Sequence, residues 1–282
     1  MNAIEIKNLS KSYPGFELKD INLVLPAGTI MGLVGENGAG KSTTIKLIMN
    51  AISRDSGSVK VLGVDNLSNE FIAVKEDIGV VLDEAYFPEV LTPKNVGKVM
   101  KNTYRNWDDD CYYNFLDKFK LPEKKAFKDF SRGMKMKLAI AVAISHKPKL
   151  LILDEATSGL DPIVRDEILD IFNDFTRDET HSVLLSSHIV SDLEKICDYI
   201  AFIHNGKLLF CEEKDKLLEE YAIVKMSKAD FEKMPKEAVK GKKISKYGVE
   251  ALVLKAAVSN TFSTEYSTLE DIILFLARGD MK

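Results

Sequence analysis

The chain has 282 residues, 45% hydrophobic and 29% charged, a globular composition with length for a sizeable core, which excludes a disordered or fibrous class. Its 39 basic and 43 acidic residues give a net charge of −4, which offers no basic footprint for nucleic acid. The three cysteines, Cys111, Cys197 and Cys211, are scattered, as reduced thiols are, and form no disulfide framework or metal-ligand spacing.

In chain order, IEIKN, ELKDINLVL and TIMGLV predict strands, the last a buried-type run entering a Gly-rich turn. STTIKLIMN predicts a helix. SGSVKVLG and IGVVL predict further strands, with a helix over FIAVKED between them. From about 84 to 147 the periodicity is helical: KNVGKVMKNTY, then DDDCYYNFLDKF, then KMKLAIAVAIS. KLLILDE predicts a short apolar strand, VRDEILDIFNDFTRD a helix, HSVLLSS a strand and SDLEKIC a helix. YIAFIHNGKLLF predicts a hairpin turned at Asn-Gly. Strands alternating with helices predict an α/β fold: a mostly parallel sheet covered on its faces, with the 84–147 block as an inserted helical subdomain.

After about 220 the composition shifts. AIVKM and ALVLKAAV predict strands around a Lys-rich loop, with five lysines between 236 and 246, and STLEDIILFLAR predicts a helix. The expected division is 1–220 for the main domain and 221–282 for a small α+β accessory unit. The longest apolar runs, such as LAIAVAI, fall short of the roughly 20 residues of a membrane span, and MNAIEIKNLSKSY lacks a signal peptide's apolar core. The expectation is a cytoplasmic chain that borrows any membrane part from a partner.

GENGAGKS at 35–42 fits G-x-x-x-x-G-K-[ST] at every fixed position, with a strand before it and a helix after it. Glycines let backbone N–H groups converge on phosphate oxygens, and the helix N-terminus adds a partial positive charge. Gly35, Asn37, Gly38, Ala39, Gly40, Lys41, Ser42 and Thr43 are thus the candidate phosphate-binding set. Lys41 can reach the β- and γ-phosphates, and Ser42 can ligate Mg²⁺. LLILDE ends a strand on Asp154, a second candidate Mg²⁺ ligand, and Glu155, placed to polarise a water attacking the γ-phosphate. FSRGM at 130–134 is ambiguous by itself. Ser131 suits an N-cap, but the capping-box position holds Met134 and Gly133 weakens the first turn. It reads either as an ordinary helix start or as a surface that something approaches closely.

Over residues 1 to about 220 the ordered set GENGAGKST, FSRGM, LLILDE, SGLD and LLSSH resembles the ATP-binding cassette (ABC) family. The resemblance implies a P-loop NTPase fold, ATP and Mg²⁺ as ligands, and hydrolysis coupled to transport. It implies that Tyr13 stacks on adenine, that Glu155 and His188 are catalytic, and that Ser131, Gly133 and Asp161 meet a nucleotide bound by a second cassette packed head to tail. It also implies a separate transmembrane permease and a peripheral place on the inner face of the cell membrane.

Three positions depart from the family pattern. Arg132 and Met134 stand where the signature has Gly and Gln, and Asp83 stands where a Gln lies near Mg²⁺. The signature variant and the Asp83 variant are both similar to those of ABC-2-type export ATPases of Gram-positive bacteria, which implies an antibiotic, an amphipathic peptide or a lipid-like compound as cargo. Competing readings are a soluble ABC ATPase and a nucleotide-binding regulator with weakened catalysis. A single P-loop and the lack of sustained heptads weigh against the first, and Glu155 and His188 against the second. In EAYFPEV, Tyr86 and Phe87 either line a groove for a short helix of the permease or fold back under the helical lobe.

Overall fold

The computed structural model describes residues 2–83, 87–258 and 262–279. Strands β1 (Asn2–Tyr13) and β2 (Phe16–Pro26) form a hairpin. β3 (Ile30–Val34) leads through the Gly-rich loop into α1 (Lys41–Ile48). Then come β4 (Ser56–Val61), β5 (Val64–Asp65), the short α2 (Phe71–Val74) and β6 (Ile78–Val81). The helical block holds α3 (Pro93–Thr103), α4 (Asp109–Lys118) and α5 (Arg132–Ile144). β7 (Leu150–Asp154), α6 (Pro162–Phe175), β8 (Ser182–Ser187) and α7 (Val190–Ile196) follow. β9 (Tyr199–His204) and β10 (Lys207–Glu213) make the Asn-Gly hairpin. The C-terminal part has α8 (Lys214–Glu220), β11 (Tyr221–Met226), α9 (Lys228–Phe231), β12 (Val239–Ser245), β13 (Gly248–Leu254), β14 (Glu265–Tyr266) and α10 (Leu269–Gly279).

The central sheet has the order β10-β9-β3-β8-β7-β6 and is parallel except for β10 at its edge. Its strands are apolar on both faces because both faces are covered. Along β7, Leu150 and Ile152 point to one core, and Leu151 and Leu153 to the other. The first core lies against the antiparallel sheet β2-β1-β4-β5, where Ile4, Ile6, Leu23, Leu25, Val59 and Val61 are buried, and takes in Ile45 and Ile48 of α1. The second takes in α5, α6 and α7. α5 approaches the sheet so closely that a Cβ on Gly79 of β6 would lie 2.5 Å from the Ala143 carbonyl oxygen. The architecture is the mixed α/β sheet expected from the sequence.

The third sheet, β12-β13-β11-β14, is wholly antiparallel. One face buries Ala222, Val224, Ala251 and Val253 with Met234. On the other, Ile223 and Leu252 join Leu269, Ile272 and Phe275 of α10 in the core that also holds Leu217 and the central sheet. The sequence expectation of a Lys-rich loop at 236–246 is corrected here. Residues Val239–Ser245 are an edge strand paired to β13, with Lys240, Lys242 and Lys243 exposed and Gly241 buried against the Phe275 backbone. Lysines on an edge strand keep it from pairing with other chains, which is why a polar run can still be a strand.

Candidate functional site

The Gly-rich loop leaves β3 at Gly35, where a Cβ would lie 2.4 Å from the Ile203 carbonyl oxygen. Gly40 caps α1 at φ 118°, a conformation that a side chain would strain. The turn between therefore wraps a cavity of about 250 Å³ lined by Phe16, Glu36, Asn37, Gly38, Gly40, Lys41, Ser42, Thr43, Asp83 and Glu155. Lys41 is 6% exposed. Its Nζ donates to the Gly35 carbonyl at 2.8 Å and lies 3.2 Å from Glu155 Oε1.

The parallel pairing of β7 with β8 sets Asp154 beside Ser186. Ser186 Oγ donates to Asp154 Oδ1 at 2.5 Å, and the Glu155 N–H reaches Ser186 Oγ at 3.2 Å and the Ser186 carbonyl at 3.1 Å. Glu155 has φ 52°, a strained value for a non-glycine residue, and this turn swings its side chain back to Lys41. The other carboxylate oxygen lies 2.6 Å from His188 Nδ1, just past β8. Lys41, Glu155 and His188 are thus one connected polar group beside the loop. Such a group can hold an anion at the lysine and polarise a water at the carboxylate.

Ser131, Gly133 and Asp161 lie apart from that cavity, on a second one of about 300 Å³ that Arg132, Met134, Gly159 and Val164 also line. Ser131 does cap α5, accepting the Met134 N–H at 3.3 Å. Asp161 caps α6 in the same way, accepting the Val164 N–H at 3.0 Å. The two cavities are joined by an ion pair, Arg132 Nη2 to Asp83 Oδ1 at 3.1 Å.

Tyr13 is 42% exposed at the end of β1, with Lys11 Nζ 5.6 Å from its ring centroid. Its hairpin partner Phe16 is the aromatic that lines the loop cavity, close against Gly40. Sequence reading missed Phe16, although an aromatic on each side of the Pro-Gly turn in KSYPGF was the available signal. Phe87 packs edge-on against Phe127 of the helical lobe, with ring centroids 5.4 Å apart. Tyr86 lies outside the described residues.

The donor set fits a divalent cation bound with phosphate: one hydroxyl at the loop (Ser42) and one buried carboxylate (Asp154). Mg²⁺ characteristically takes one or two carboxylates and fills its remaining positions with phosphate and water. Among the described residues there is no cluster of three or more His, Cys, Asp and Glu side chains to cage a metal alone.

The sequence model of the ABC transporter family matches residues 18–158. The chain is 31% identical over 225 residues to the ABC transporter ATP-binding protein YtrB of Bacillus subtilis, covering 79% of this chain and 76% of that one. It is 36% identical over 215 residues to the lantibiotic transport ATP-binding protein SrtF of Streptococcus pyogenes, covering 75% and 91%. Among solved structures, an ATP-binding subunit of an ABC transporter superposes with a TM-score of 0.69 at 28% identity, over 76% of this chain and 91% of that one.

Proposed function

The chain belongs to the ABC transporter family of ATP-binding proteins, and from that premise we propose that it hydrolyses Mg²⁺-bound ATP to drive an exporter whose transmembrane permease is a separate subunit. The observation that carries the hydrolytic reading is Glu155, held between Lys41 and His188 beside the P-loop cavity. Gly35 to Thr43 cradle the phosphates, Lys41 takes the terminal ones, and Tyr13 with Phe16 offers the adenine a flat face. Ser42 and Asp154 would hold Mg²⁺, with Asp83 at the cavity wall as a further ligand. The ion neutralises charge on the phosphates when bound. Glu155 orients the attacking water and takes up its proton, and His188 fixes the Glu155 carboxylate.

Two copies packed head to tail would bring Ser131, Gly133 and Asp161 of one chain to the nucleotide of the other. That Ser131, Gly133 and Asp161 line a separate cavity supports this reading, since it leaves them a surface of their own to present. Among the described residues no helix is long and apolar enough to cross a membrane, which agrees with a peripheral subunit docked on a permease at the inner face of the membrane. An antibiotic or amphipathic peptide as cargo is supported by the lantibiotic transport named for SrtF.

The test is to purify the chain alone and with the membrane protein that it retains in detergent. Mg²⁺-dependent ATP hydrolysis that the membrane protein stimulates is the expected result. ATP binding without hydrolysis in either preparation would favour the regulator reading.

A further inference from the structure

α7 starts two residues after His188, so the place of this short helix sets the place of the His188 ring. The ring is half exposed, and among the described residues its one hydrogen bond goes to Glu155. Whatever fixes α7 therefore bears on the Glu155–His188 contact. Two charged pairs join α7 to α6. Lys195 and Asp166 are both exposed, and such a pair contributes little. Arg165 and Asp192 differ: the Asp192 side chain is 6% exposed and that of Arg165 27%. Arg165 lies in the first turn of α6, where its backbone N–H donates to the Asp161 carbonyl at 3.0 Å. Its Nη2 donates to the Leu160 carbonyl at 3.2 Å, and its Nη1 faces Asp192 Oδ1 at 3.8 Å, across to the first turn of α7. Arg165 Nε and Asp192 Oδ2 are both buried without a hydrogen-bond partner among the described residues. One guanidinium thus spans the loop before α6 and the helix after His188.

We propose that Arg165 is a positioning residue for ATP hydrolysis, holding α7 through Asp192 so that His188 of the same chain meets Glu155. The proposal rests on the roles given above to Glu155 and His188. Stability alone gives no reason for the pair, because apolar residues of similar volume hold two helices together as well as a buried ion pair or better. What the pair adds is placement. Asp192 carries a charge out of water and is satisfied only where the guanidinium faces it, and the guanidinium is itself anchored on Leu160. The contact that this protects tolerates little movement. A shift of α7 by about 1 Å would take the 2.6 Å approach of His188 Nδ1 to Glu155 past hydrogen-bond length. Lys41 and the Gly-rich loop stand on β3 and α1, so the grip on phosphate does not depend on α7.

The experiment uses the full chain with Arg165→Met and Asp192→Leu together, which removes both charges and leaves neither group buried and unpaired. The fold should hold, and a denaturant midpoint checks it. ATP turnover should fall about tenfold while KM for ATP stays within about twofold. Arg165→Lys, which keeps a cation beside Asp192 without the fork, should lose about threefold and is read in the same way if the double variant is unstable. A second readout needs no turnover. The chain has four histidines, so the ring-nitrogen NMR signals of His188 are assigned by their absence in His188→Ala. Glu155→Gln should move those signals in the wild type, and by less than half as much on the Arg165→Met/Asp192→Leu background. If it moves them equally on both, α7 keeps its place without the pair and the proposal alone is overturned. If the response is lost and turnover stays at the wild-type rate, the proposal is overturned together with the role given to His188. A KM that rises as far as turnover falls would show general damage to the ATP site and would overturn the positioning role as well.

Discussion

Lys41 Nζ lies 3.2 Å from Glu155 Oε1, and the opposite oxygen of the same carboxylate lies 2.6 Å from His188 Nδ1. One carboxylate therefore lies between the lysine proposed to hold phosphate and the His188 ring. On the proposed function, incoming phosphate would compete with Glu155 for Lys41, and displacing the carboxylate would leave it free to polarise water.

Glu155→Gln keeps the size and the hydrogen-bonding capacity of the side chain and removes its charge. Turnover should fall by ~10²–10⁴. ATP affinity should hold or rise, because no carboxylate competes for Lys41, which keeps its bond to the Gly35 carbonyl. Single-turnover hydrolysis and equilibrium ATP binding, measured on the same preparation, separate the two effects. Turnover close to wild type would move the water-polarising role to another residue.

Ser186 stands behind Asp154, which is proposed as a Mg²⁺ ligand. It donates to Asp154 at 2.5 Å and accepts the Glu155 N–H at 3.2 Å. Outer-shell partners of this kind orient the ligand, and their loss typically costs about 10- to 100-fold in metal affinity. Ser186→Ala should raise the Mg²⁺ concentration for half-maximal turnover about tenfold. The Glu155 N–H keeps the Ser186 carbonyl at 3.1 Å, so the loop itself should hold. A Mg²⁺ titration at saturating ATP reads this directly, and an unchanged midpoint would take Asp154 out of the ligand set.

The P-loop was legible because phosphate chemistry restricts residue type at fixed spacing: Gly35, Gly40 and Lys41 have few substitutes there. β7 was legible because four consecutive apolar residues bounded by charge admit few folds other than a buried strand. Other features depend on tertiary placement. Asp83 and Arg132 are 49 residues apart, and no local pattern announces their pairing. β12 looked like a loop because its lysines obey the needs of a sheet edge and its buried position is a glycine. Phe16 was missed because only the hairpin register brings it, and not Tyr13, onto the P-loop cavity.

The Asn-Gly turn between β9 and β10 was also legible, and it carries a stability prediction. Asn205 has φ 48° and Gly206 φ 74°, which suits the tight hairpin turn whose central residues both have positive φ. A Cβ on Gly206 would lie 1.8 Å from the Glu17 carbonyl oxygen. The Gly206 N–H also donates to the Ala39 carbonyl of the P-loop at 3.0 Å. Gly206→Ala should therefore cost more than ~3 kcal/mol and weaken ATP binding along with stability. Gly15→Ala is the control. It has φ +83° but open space around it, so only backbone strain of about 1–2 kcal/mol applies. Denaturant midpoints of the two variants should differ clearly, and equal values would mean that β2 yields to the extra carbon.

His146 makes stability depend on pH. It is 1% exposed at the end of α5 and stacks on Tyr104 with ring centroids 4.0 Å apart. Burial pushes its pKa below the ordinary 6.5, partly offset by the Ile78 and Val142 carbonyls near its ring nitrogens and by Glu76 and Asp77 nearby. The folded state thus keeps the ring neutral to lower pH than the unfolded chain does. Above the unfolded value both states are neutral and the group adds no pH dependence. As pH falls through about 6.5 the unfolded chain gains a proton first, so stability drops until the folded pKa is also passed. His146→Phe keeps a flat ring on Tyr104 and cannot titrate. Its denaturant midpoint should fall less steeply than that of the wild type as pH is lowered from about 7 to about 5. Every other group is common to the two proteins, so the difference between the two curves isolates His146. Parallel curves would show that the folded state takes up the proton as readily as the unfolded chain, through the Ile78 and Val142 carbonyls that can accept from both ring nitrogens.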